Sequence, residues 1–359
     1  MTTVTGTVVP RRDLRPRRLP SWSPALVAAL AATVAVLAVR LGGLLGGGWA
    51  LTTVVAVALF LTGLGTASRL VEGARSARDR VATALVYSAF TLALLPLVSV
   101  AATLVARGVS RLDGTFFSHS MRNITAFDSA GGAYHAIVGT VEQVGIAVMI
   151  TVPLGVAAAV YVVEYGRGGL ARAIQFVVDV MTGVPSIVAG LFVLAFWVLV
   201  VTPVINDGRP GYSGFAAALA LSVLMLPTVT RSTEEMLRLV PATLREGAYA
   251  LGIAKWKTVA RVVLPAARGG IVTGVMLAIA RAAGETAPVL LVAGGNPAIN
   301  FNPFRDSQAS LSLFIYDQAG LASKYGPPRA WTAALTLVAL VLALTVAAKL
   351  LSRRTRLPR

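Results

Sequence analysis

Eight stretches of about 20 apolar residues, separated by short polar joints, leave this chain few ways to fold. They fall at about residues 24–42, 47–66, 82–106, 135–162, 176–201, 213–230, 269–294 and 330–351. Hydrocarbon offers no partner for a backbone N–H or C=O, so segments of this length must be helices that satisfy their own hydrogen bonds. Composition agrees, with 56% hydrophobic and 13% charged residues and a mean hydropathy of +0.76, well beyond a soluble domain. The expected fold is an all-α polytopic membrane protein of about eight transmembrane helices.

A formal net charge of +17 would suit a nucleic-acid binder if the cations shared one soluble face. Instead most of the 32 Lys and Arg residues lie in alternate joints between apolar spans. By the positive-inside rule that pattern places both termini in the cytoplasm and excludes nucleic acid as a partner. The basic opening, residues 1–23, has paired arginines but no convincing cleavage site, and reads as an uncleaved tail. A second basic tail covers 353–359. Residues 24–66 read as an accessory transmembrane hairpin, in which Gly42 and Gly46 have a spacing that allows close helix contact. A charged linker, 67–81, separates that hairpin from a six-span unit, 82–352.

The chain has no cysteine and two histidines, so neither a thiolate nor a histidine metal site is expected. G-x-x-x-x-G-K-[ST], H-E-x-x-H and G-x-S-x-G are all absent, which removes the usual bases for ATP, metalloprotease and serine-hydrolase chemistry. No catalytic residue is assigned, and a transporter subunit is expected rather than an enzyme.

The most patterned joint is residues 231–268. "PATLREGAYAL" opens on a proline suited to a helix start, and Gly252 stands where a left-handed helix cap is wanted. "AKWKTVARVVLP" follows, with Pro265 expected to close it before the seventh span. Such an amphipathic loop can lie on lipid headgroups or present a helix to a partner. Glu246, Gly247 and Ala248, then Gly252, then Val262 to Leu264 and Pro265 resemble the EAA loop of binding-protein-dependent ABC-importer permeases. Gly247 replaces the first alanine, and Val262 the isoleucine, of that pattern. "ARAAGETAPVLLVAG" at 280–294, with "DVMTGVPSIVAGL", "VPLGVAAAVYVVEY" and "SLSLFIYDQA", resembles the PstA permeases of phosphate importers over residues 80–352.

The resemblance implies an ATP-driven importer of inorganic phosphate in a bacterial plasma (inner) membrane, with Glu246–Pro265 as the coupling loop. It further implies a PstC-like second permease, a PstB-like cytoplasmic ATPase dimer that binds ATP, and a PstS-like extracytoplasmic phosphate-binding protein. This chain itself, embedded in membrane lipid, would bind no cofactor. A permease for molybdate, sulfate or phosphonate, or a non-ABC channel, is the alternative reading.

Charges inside the spans need a reason, since each costs about 2.5 to 3.5 kcal/mol at mid-bilayer. Arg281 and Glu285 stand at i and i+4, the spacing that stacks two side chains on one helix face. They read as an ion pair facing the protein interior, with the guanidinium available to an oxyanion pathway. Gly284 and Pro288 could loosen the helix beside them. Asp179, at the start of the fifth span before an expected kink at Pro185, and Glu142, in the fourth, read as structural. Residues 295–329 are expected to pack over helix ends or to dock a substrate-binding protein, and Asn123 begins a formal N-x-T acceptor.

Overall fold

A computed structural model describes residues 18–41 and 48–354, and its apolar stretches are helical. Residues 1–17 and 355–359 of the basic tails, with Gly42 and Gly46, lie outside the described residues. Among the described residues seven helices are long and apolar enough to cross a membrane, and an eighth apolar helix, Ser23–Val39, is shorter. Among the described residues the β-type pairing is limited to one isolated bridge between Gly294 and Gln308. The chain forms two compact units, divided between Ala101 and Ala102.

In the first unit, α1 (Ser23–Val36) packs along α2 (Trp49–Val71), and α3 (Ala74–Gly108) begins immediately after. The charged stretch 67–81 is therefore not an extended linker. It is helix on both sides of a two-residue turn, with Gly73 at φ +92°. Glu72 holds that turn by accepting bonds from the Leu19 N–H (2.6 Å), the Ser68 hydroxyl (2.8 Å) and the Arg80 guanidinium (2.6 Å). The Leu19 N–H is the largest of the influences that keep its carboxyl below the usual range.

The second unit continues with α4 (Gly114–Ser118), α5 (Tyr134–Val160, prolonged by a π-helical turn to Tyr165) and α6 (Gly169–Thr182). Then come α7 (Ser186–Val193), which runs on as π-helix to Val201, α8 (Thr202–Ile205) and α9 (Gly214–Arg238). After α9 stand α10 (Ala242–Ala250), α11 (Lys255–Thr258), α12 (Leu264–Ala283) and α13 (Ala287–Val292). The chain ends with α14 (Leu311–Gly320) and α15 (Gly326–Arg354).

α9 is the centre of this unit. Its small residues Ala216, Ala217, Ala218 and Ala220 are fully buried, and α5 and α12 pack along it most extensively. Without a hydrophobic driving force between helices in lipid, such small residues gain their stability from close backbone approach. Gly274 of α12 is one point of that approach, because a β-carbon there would sit 2.4 Å from Ser232 Cβ.

Two sequence expectations need correction. The fifth span does not contain Asp179 and does not kink at Pro185. α6 stops at Thr182 and the spanning helix starts at Ser186, because Pro185 lacks an N–H and disfavours helical geometry in the residue before it. Asp179 thus belongs to a separate helix, α6, where it pairs with Arg231 of α9.

Candidate functional site

The joint expected to couple to a partner is built from α10 and the start of α11. Pro241 caps α10 at its start, and Gly252, at φ +73°, ends it. The Gly252 N–H donates to the Tyr249 carbonyl (2.9 Å) and the Ile253 N–H to that of Ala248 (3.1 Å), which satisfies the last carbonyls of the helix. Ala248 is buried while Glu246 and Gly247 are exposed, so the motif turns one face inward and leaves its acid outward.

The residue that fixes α10 to the bundle is Arg245, which pattern reading passed over. Its guanidinium donates to Glu164 Oε1 (2.6 Å) and to the carbonyls of Val240 (2.7 Å) and Leu237 (2.9 Å). Glu164, at the end of the fourth span, is only 5% exposed. A buried carboxylate is tolerable there because the guanidinium neutralises it, and Arg245 in turn closes the frayed end of α9.

Pro265 does not close a helix before the seventh span. Lys255–Ala283 is one continuous helix of 29 residues, about 43 Å long at 1.5 Å per residue. The turn ahead of the proline, Val259–Val263, is π-helical. A wider turn there accommodates a residue with no N–H to give. Leu264 is half-buried, and Pro265 lies exposed in the first turn of α12.

At its other end the helix breaks instead of running to residue 294. α12 stops at Ala283, Gly284 to Thr286 form an irregular turn, and α13 resumes at Ala287 with Pro288 in its first turn. Arg281 stands in the last helical turn, where the carbonyl end favours a cation. Arg281 Nε lies 3.6 Å from Glu285 Oε1, an ion pair too long for a hydrogen bond. Its side chain is 66% exposed while that of Glu285 is 18% exposed. The expected inward orientation is therefore not found. Arg281 points out of this chain, and its fork of donors is uncommitted.

The turn after α12 is held by α14: the Ser312 hydroxyl donates to the Glu285 carbonyl at 2.9 Å. Gln308, just ahead, is 1% exposed and holds Glu142. Its amide donates to Glu142 Oε2 (2.6 Å) and to the Asn300 carbonyl (3.1 Å), while its oxygen accepts from Gln143 (3.0 Å). Gly139 makes room for this strand of chain, since a β-carbon there would lie 2.0 Å from the Ala309 carbonyl oxygen. Nearby, fully buried Arg329 binds the carbonyls of Asp128 and Ala130, and Arg111 takes that of Ser129 at 2.7 Å. Two arginines on separate helices thus clamp one loop. Within residues 295–329, Gln308 to Phe314 are buried while Phe301, Phe304 and Tyr316 stay exposed. Among the described residues no group of three or more His, Cys, Asp or Glu could hold a metal.

Comparison with known proteins bears on this arrangement. Residues 151–357 match the family described as "Binding-protein-dependent transport system inner membrane component". A Mycobacterium tuberculosis phosphate transport system permease protein PstA 1 is 46% identical over 291 residues, spanning 79% of this chain and 92% of that protein.

The chain belongs to the PstA permeases of that family.

The Mycobacterium leprae PstA is 48% identical over 272 residues (74% of this permease, 86% of the relative), and that of Haemophilus influenzae 34% over 277 (77% and 94%). The fold of the permease is also that of a chain from a bacterial alginate ABC transporter crystallised with an alginate pentasaccharide-bound periplasmic protein. There the TM-score is 0.55 at 16% identity, covering 77% of this chain and 95% of that one. The permease is an inner membrane component of an ABC importer, with seven candidate spans among the described residues.

Proposed function

We propose that this permease carries inorganic phosphate across a bacterial plasma membrane, both termini in the cytoplasm, driven by ATP hydrolysed on a separate PstB-like ATPase dimer. A PstC-like permease would complete the pathway, and a PstS-like protein would deliver phosphate from outside. The observation that carries this reading is Arg281, exposed at a broken helix end with its hydrogen-bond donors unfilled. A planar guanidinium suits the oxygens of phosphate, and an outward-facing one can line a path shared with a second subunit. Glu285 at 3.6 Å keeps the cation partly neutralised, which favours release, as a transporter requires. The names of the relatives support phosphate as the solute.

The mechanism follows from one helix. Closure of the ATPases displaces α10, which Arg245 ties to Glu164 and the end of α9. Lys255–Ala283 starts three residues after Gly252 and ends two residues beyond Arg281, so a displacement of α10 passes the turn at Gly252 and then reaches the arginine along one helix. Alternating access is then a rocking of packed helices around the break. Uptake of labelled phosphate tests the reading. Cells lacking the chain lose it, and Arg281→Glu with Glu285→Arg does not restore it. Normal uptake in the charge-exchanged variant would remove Arg281 from the pathway. Loss of molybdate or sulfate uptake in place of phosphate would change the solute.

A further inference from the structure

The first unit contains a cavity of about 540 Å³ between α2 and α3 that none of the transport residues touches. Its lining is graded along the helices. Arg69 and Arg78 stand at the end near the Glu72 turn, and Leu61 and Val81 face it eight and three residues deeper, respectively, with Thr62 and Thr66 between. Among the described residues neither Arg69 nor Arg78 forms an ion pair: Glu72 is engaged by Arg80, Ser68 and the Leu19 N–H, and Asp79, next to Arg78 in sequence, makes no salt bridge with it. No acidic side chain lines the cavity. Two uncompensated cations thus stand at one end and apolar walls at the other.

We propose that this cavity binds one anionic phospholipid, its phosphodiester bridged by Arg69 and Arg78 and its acyl chain lying along Leu61 and Val81. Guanidinium forks suit phosphate oxygens, and basic pockets between membrane helices are suited to anionic head groups. A free anion would have no use for the apolar half, which points to an amphiphile. Arg75 is also exposed on the same stretch of α3 but lies outside the cavity, so it separates a built site from a general attraction of basic residues for anionic lipid.

Native mass spectrometry of the full-length chain, released from detergent with whatever subunits purify with it, tests the site. The probes are phosphatidylglycerol, cardiolipin and phosphatidylcholine. One anionic lipid should be retained in preference to phosphatidylcholine. Replacing both residues, Arg69→Gln with Arg78→Gln, should weaken retention by about 30-fold. Arg69→Lys with Arg78→Lys should keep most of it, and Arg75→Gln should change nothing. Equal retention of phosphatidylcholine, unaltered binding in the glutamine variant, equal loss in Arg75→Gln, or displacement by inorganic phosphate would each overturn the proposal. All of these results are independent of the phosphate reading, whose residues lie in the second unit.

Discussion

Single side chains decide whether the loop proposed to couple to the ATPase is held and whether the helix break stays in place. Arg245→Ala would leave Glu164 buried without its cation, a loss of about 3 kcal/mol by comparison with other broken buried pairs. The expected outcome is a loop at 241–253 that proteases cut readily, with phosphate uptake lost and membrane insertion intact. Arg245→Glu with Glu164→Arg should recover part of the protection. Glu246 is exposed and makes no ion pair among the described residues, so Glu246→Gln should leave stability unchanged and still abolish uptake. Normal uptake in that variant would exclude Glu246 from contact with a partner. Asp128 supplies a pH test. Its carboxyl accepts the Thr125 N–H (2.7 Å) and then the Thr125 hydroxyl (2.8 Å), which hold it below the usual carboxylate range. A depressed folded value means the contribution exists above the unfolded value and fades as pH falls through the folded one. Amide protection in residues 125–131, taken relative to the intrinsic exchange rate at each pH, should therefore fall only under strongly acidic conditions, and a loss of protection near neutrality would contradict this bond. Arg281, Glu285 and Gly252 could be singled out in the sequence because a charge in an apolar run and a glycine at a helix end each break a local rule. Arg245, Gln308 and Arg329 could not, since their roles depend on partners 81, 166 and about 200 residues away in the chain.

At the level of elements, hydropathy located the spans well but misjudged where helices stop. A window average stays apolar across Gly284 to Thr286, despite Glu285, as it does across Pro185, although the backbone is not helical at either place. Conversely, Lys255, Lys257 and Arg261 lowered the average ahead of the seventh span, where the helix in fact runs on unbroken. That continuity makes α12 a lever, and its contact with α9 is the fulcrum. Gly274→Val should push α12 from Ser232, because even a single added carbon would lie 2.4 Å from Ser232 Cβ. Uptake should fall sharply while α10 remains protected from protease, a combination that loss of the coupling loop would not produce. Gly139→Ala should act at the other end, meeting the Ala309 carbonyl oxygen and loosening Gln308 from Glu142, with a lower melting temperature as the readout.

For the whole molecule, the residues assigned to transport all lie within 102–359, the larger of the two compact units. A chain beginning at Ala74 should therefore still support phosphate uptake, and complete loss of uptake in a stably inserted truncation would give the first hairpin a transport role. The hydrogen bond from Ser312 to the Glu285 carbonyl has a thermodynamic consequence of its own. It joins α14 to the turn beside Arg281, so the two share one free-energy balance. Whatever ligand prefers one geometry of that turn must, by reciprocity, alter the affinity of anything that grips α14, and by the same factor. A phosphate ion beside Arg281 would then be felt by a protein seated on α14 before any ATP is split.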